Sequence, residues 1–140
     1  MLKGGDKLIS KLNDLAKQTK ALKVGFFKNS TYPDGTYVAQ NAFWQEYGTP
    51  KIPPRPFFRT AIEQNKGKWS KGFETVLKGR NYDFTKSFSL LGVKVAYDIR
   101  MSIVNWSEPA NSPYTIEQKG FNDPLVETHN MEKSVNWEYD

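Results

Sequence analysis

The sequence predicts an α+β fold in a single domain over residues 1–140: a small antiparallel sheet packed against several helices, two of them long. Three observations carry this. First, Leu22–Lys28 and Val135–Tyr139, near opposite ends of the chain, each alternate side chains with period two, the mark of a half-buried strand. Second, Phe84, Phe88, Leu91, Val95, Ile99 and Ile103 follow one another at three- and four-residue steps, which puts them on one helix face. Third, Thr49–Pro56 holds Pro50, Pro53, Pro54 and Pro56, whose fixed φ and missing N–H groups make it an extended, stiff connection.

In chain order, Asp6 can cap an N-terminal helix over residues 6–18, with Leu8, Ile9, Leu12, Leu15 and Ala16 as its apolar stripe. The strand Leu22–Lys28 follows. Pro33-Asp34-Gly35 forms a turn, because proline presets φ and glycine accepts positive φ. Tyr37–Tyr47 reads as a short helix with Val38, Ala42 and Phe43 or Trp44 inward, stopped by Gly48. Phe57 opens a helix to about Leu77, weakened by Gly67 and Gly72, with Trp69, Phe73, Val76 and Leu77 inward. Asp83 or Thr85 caps the second long helix, to about Val104. After Trp106 the pattern loosens, with one helical turn within 114–120 and a short helix over Leu125–Lys133. A lone strand leaves its backbone groups unpaired, so the two strands are expected to share one sheet, enlarged by further strands in the loops or from a neighbouring subunit.

A chain of 140 residues buries roughly two-thirds of its unfolded surface and needs no covalent staple. With no cysteine there is no disulfide and no thiol chemistry, which suits a reducing cytoplasm. The start has no signal-peptide run and no segment reaches the ~20 apolar residues of a membrane span, so no membrane partner is expected. Charge is split. Residues 1–100 hold 18 Lys/Arg against 8 Asp/Glu, a net of +10; residues 101–140, including the acidic segment 107–140, hold 2 against 7, a net of −5. Such asymmetry bears on association rather than fold.

Chemistry-bearing patterns are sparse. The single histidine, His129, cannot build a histidine metal cluster, and its role is open. Glu127 and Glu132 can share an exposed helical face. No phosphate loop ends in Gly-Lys-Ser/Thr, and Ser102, Ser107 and Ser112 lack a nucleophile-elbow setting. The sequence therefore predicts no catalytic residue, no metal and no cofactor. Lys66, Lys68, Lys71, Lys78 and Arg80, interleaved with Trp69, admit two readings: a DNA-facing surface, or the solvated face of an amphipathic helix.

One segment is more specific than the rest. Glu46-Tyr47-Gly48-Thr49 followed by Ile52-Pro53-Pro54-Arg55-Pro56-Phe57-Phe58-Arg59 resembles the signature of tailed-bacteriophage neck and tail-completion proteins, the minor tail or virion-morphogenesis family. Tyr32–Thr36 upstream and Asn111–Val135 downstream resemble the same family more loosely, with His129 where a glycine is usual. The resemblance implies a structural virion protein at the head–tail junction. It would form a homo-oligomeric ring that joins head-completion or connector proteins to the tail terminator or tail tube, around the DNA channel, with at most non-specific DNA contact. The protein would be made in the host cytoplasm and end in the virion. A small basic DNA-binding protein is the alternative. Within the motif, Pro53 and Pro56 stiffen the connector, Phe57 and Phe58 can anchor on apolar surface, and Arg55 and Arg59 offer forked donors, which is also interface material.

Overall fold

The computed structural model describes residues 4–17, 21–81, 83–109, 115–117, 125 and 130–139. The elements run α1 (Gly4–Lys17), β1 (Leu22–Phe26), α2 (Val38–Tyr47), α3 (Phe57–Gly79), α4 (Phe84–Val104), a helical stretch α5 within 115–117, α6 (Asn130–Lys133) and β2 (Val135–Tyr139). The architecture is mixed α+β and mostly helical, with the two long helices packed together.

The long helices α3 and α4 pack against each other, and α3 gives way to a turn at Arg80 and Asn81. Asn81 takes φ 52 there, a left-handed conformation that asparagine tolerates. Asp83 then caps α4, accepting a hydrogen bond from Lys86 N at 3.1 Å. Gly67 and Gly72 do not stop α3, which runs two residues past the expected Leu77 to Gly79. Their propensity cost, about 1 kcal/mol each, is set against an aromatic contact in which Phe73 stacks on Phe88 of α4, centroids 5.0 Å apart.

The terminal strands pair antiparallel as expected, with Leu22 opposite Tyr139, Val24 opposite Trp137 and Phe26 opposite Val135. The sheet has two strands; among the described residues the only addition is an isolated bridge between Thr31 and Tyr37. β1 ends at Phe26 rather than Lys28 because Ser30 N turns back to Phe27 O. β2 packs closely on α4 at Gly92: a Cβ there would lie 2.7 Å from Trp137 Cδ2. The core joins Val95, Ala96, Ile99 and Ile103 of α4 to Phe57, Ala61, Val38, Ala42, Met131 and Val135. Fully burying each large side chain among these contributes about 1.5–3 kcal/mol.

Two expectations are corrected. In α2 the inward set is Val38, Ala42 and Glu46, while Phe43 is 59% and Trp44 36% exposed. The helix turns an i, i+4, i+8 stripe to the core, and its last member is a carboxylate. In the expected helix Leu125–Lys133, helix is seen at Asn130–Lys133 and Leu125 lies in a turn. Thr128 and His129, with residues 110–114, 118–124 and 126–127, lie outside the described residues. In α1, Leu8 is half-buried and Ile9 is 58% exposed; the side chains of Leu12, Leu15 and Ala16 lie outside the described residues.

Candidate functional site

The motif that dominates the sequence forms a brace between α2, the connector and the start of α3. Gly48 closes α2 with its N–H on Trp44 O and with φ 77. A Cβ at Gly48 would stand 2.9 Å from both Ile52 O and Pro54 N, so the reversal requires glycine twice over. Thr49 and Ile52 exchange backbone hydrogen bonds, and Thr49 Oγ1 accepts from the N–H groups of Lys51 and Ile52. Pro53 is exposed and Pro56 sits at the N-cap of α3, where it offers no side-chain acceptor.

Glu46 fills that gap from another helix. Its Oε1 accepts from Phe58 N at 2.7 Å, and its Oε2 accepts from Arg59 Nε at 2.7 Å. Arg59 also donates to Glu46 O at 3.1 Å and lays its guanidinium 4.7 Å from the Tyr47 ring centroid. The hydrogen bond to Glu46 raises the Arg59 pKa above its ordinary value. A buried carboxylate at a helix N-terminus thus receives the orphan N–H and the macrodipole that an N-cap would serve.

Arg55 is buried. Its N–H donates to Gln45 O, its Nε donates to Pro109 O at 2.9 Å and its Nη1 to Gln45 Oε1 at 3.3 Å. Burial lowers its pKa below the ordinary value. Phe57 is 1% exposed in the core, and Ser102 Oγ of α4 donates to its carbonyl. Phe58 is half-buried against Phe26 and Phe57. Within the subunit, then, Glu46, Arg55 and Phe57 act on the fold.

The exposed part of the region lies alongside. Phe43 and Tyr47, 59% and 55% exposed with ring centroids 4.8 Å apart, overhang a groove of ≈370 Å³ between β1, α2 and the start of α3. Phe43 and Trp44 are the two aromatics that sequence reasoning offered as alternatives for the inward set, and both are exposed. The signal that could have found this is the one-residue offset between Ala42, on the buried stripe, and Phe43, off it.

The basic set is on α3 and just beyond it. Lys66, Lys68, Lys71, Lys78 and Arg80 are all exposed. Lys66 pairs with Glu63 and Lys78 with Glu74 on the same helix. Trp69 points away from them and donates from Nε1 to Asp98 Oδ2 of α4 at 2.7 Å, so it is no free stacking platform for a base. Among the described residues no group of three or more His, Asp or Glu side chains could hold a metal ion, and no helix is long and apolar enough to cross a membrane. Comparison with models of known families, with curated proteins and with solved structures finds no match.

Proposed function

We propose that this chain is a non-enzymatic structural subunit of the head–tail junction of a tailed bacteriophage, one that assembles into a ring around the DNA channel. The single observation that carries the reading is the segment Glu46–Arg59, whose residue order resembles the neck and tail-completion signature. Its geometry suits the role. A connector braced at Gly48, Glu46 and Arg55 holds Phe43 and Tyr47 outward on a rigid frame, which limits the ordering cost of docking. The net +10 of residues 1–100 and −5 of residues 101–140 favour contacts between unlike surfaces, the kind that generate rings.

The test is negative-stain imaging with sedimentation velocity on the purified chain, without DNA. Closed rings of uniform size are expected. A monomer at every concentration, combined with tight sequence-selective DNA binding at physiological salt, would replace this reading with the DNA-binding one.

A further inference from the structure

We propose that the outer face of α3 is a rail on which duplex DNA rests by its phosphates alone. The inference rests on the ring-forming reading above, which supplies the DNA, and it names the face of the subunit that meets it. Three- and four-residue steps put Gln64, Gly67, Lys68, Lys71, Thr75 and Lys78 on one side of the helix. All six are exposed. Glu63 and Glu74 lie along one margin of that side, and they are already engaged: Lys66 reaches Glu63 at 3.2 Å and Lys78 reaches Glu74 at 2.9 Å. Lys68 and Lys71 make no ion pair among the described residues, although Lys71 adds its field at Glu74. Their charge is left over for a partner outside the subunit.

The glycines of α3 point to the same surface. A Cβ at Gly67, Gly72 or Gly79 would meet nothing within 4 Å. Glycine inside a helix is less stable than alanine, and no contact among the described residues requires it at these positions. At Gly67 the missing side chain leaves bare backbone beside Lys68 and Lys71. The lysine heads then stand highest, and a broad anionic surface can approach the helix between them.

The inner face holds the rail still and withholds everything that reads bases. Phe73 stacks on Phe88 of α4, and Ser102 of α4 donates to the Phe57 carbonyl. Trp69 is bonded to Asp98, so no ring is offered to a base. Point charges without base-edge contacts attract every sequence alike, which lets the duplex slide. From Gln64 to Lys78 the rail measures about 21 Å at 1.5 Å per residue, the length of about six base pairs.

The test is fluorescence anisotropy of the assembled protein with two unrelated duplexes, between about 50 and 200 mM salt. Wild type is compared with the rail pair Lys68→Gln/Lys71→Gln and with Lys51→Gln/Lys133→Gln, which removes the same charge from exposed sites off α3. Negative-stain imaging and thermal unfolding run in parallel. Wild type should bind both duplexes equally. The rail pair should form the same rings, bind at least about tenfold more weakly at the low-salt end, and lose at least about 1.8 from the slope of log K against log salt, about 0.9 per lysine. The off-rail pair should keep the wild-type slope. If the rail pair unfolds early, Lys68→Gln alone decides, with a slope smaller by at least about 0.9. Rings that bind no duplex at low salt, a rail pair with the wild-type slope, or an equal loss in the off-rail pair would each overturn the rail and leave the ring reading standing. Binding that differs more than about tenfold between the two duplexes would overturn a phosphate-only contact. A monomer that binds DNA through Lys68 and Lys71 would keep the rail and overturn the ring reading.

Discussion

Truncating Glu46 should loosen α3 from the rest of the subunit, and the size of the effect can be worked out from the structure. The Glu46 side chain is buried, and its Oε1 is the acceptor for Phe58 N in the first turn of a helix whose own N-cap, Pro56, supplies none. A hydrogen bond from a backbone N–H to a charged acceptor contributes about 1.5–3 kcal/mol, and loss of an N-cap costs about 1 kcal/mol. The two describe the same bond in part, so Glu46→Ala should cost about 2–3 kcal/mol. No share is assigned to the Arg59 ion pair, because Arg59 is 55% exposed and screened by water. For a domain of this length each kcal/mol lowers the melting temperature by about 3–4 °C, giving a fall of about 6–12 °C. Glu46→Gln retains an oxygen for Phe58 N and should lose less than half as much. Calorimetry on the three proteins at neutral pH is the assay. A Glu46→Ala midpoint within about 2 °C of wild type, or a glutamine variant as damaged as the alanine one, would refute the interhelical cap.

Three further outcomes follow from the same geometry. Gly92→Ala should be destabilising by about 1–3 kcal/mol despite alanine's better helix propensity, since its Cβ would meet Trp137 at 2.7 Å; denaturant unfolding reads this, and a stabilised variant would contradict the α4–β2 packing. Arg55→Glu should cost about 2–4 kcal/mol, because a carboxylate would face the Pro109 carbonyl, while Phe43→Ala should change stability by under about 0.5 kcal/mol; equal melting temperatures for the two would show that the connector does not brace the fold. Asp34 is held below the usual carboxylate range by the Thr36 N–H and Glu74 by Lys78, so in both the folded pKa is depressed. Their contribution is present above the unfolded pKa of about 4 and disappears as pH falls through the folded values; NMR titration should show both midpoints shifted acidward, and ordinary midpoints would remove the effect.

Periodic signals survived folding best. The steps that pick out Val95, Ile99 and Ile103 reflect a helix packed along its length, and the alternation of Val135, Trp137 and Tyr139 reflects a strand with one face on α4. The reading failed where polar groups are buried with partners. Glu46 and Arg55 look like surface residues by type, yet each is satisfied by groups 10 to 54 positions away that no local pattern announces: Glu46 by Phe58 and Arg59, Arg55 by Gln45 and Pro109. With Glu46 on the core stripe, Phe43 and Trp44 rotate outward, and the apolar lip of the groove appears where a core contact was expected. The motif itself was legible as a rigid connector; the division between its inward braces and its outward aromatics was not, because it depends on which helix supplies the cap for α3.

The measurement that bears most directly on the proposed role is a cryo-EM reconstruction of the neck of tailed particles assembled with this chain. A ring of copies of this α+β subunit is expected between head-completion proteins and tail, with the DNA channel at its centre. Particles complete and infectious without the chain, or density for it anywhere but the junction, would contradict the account.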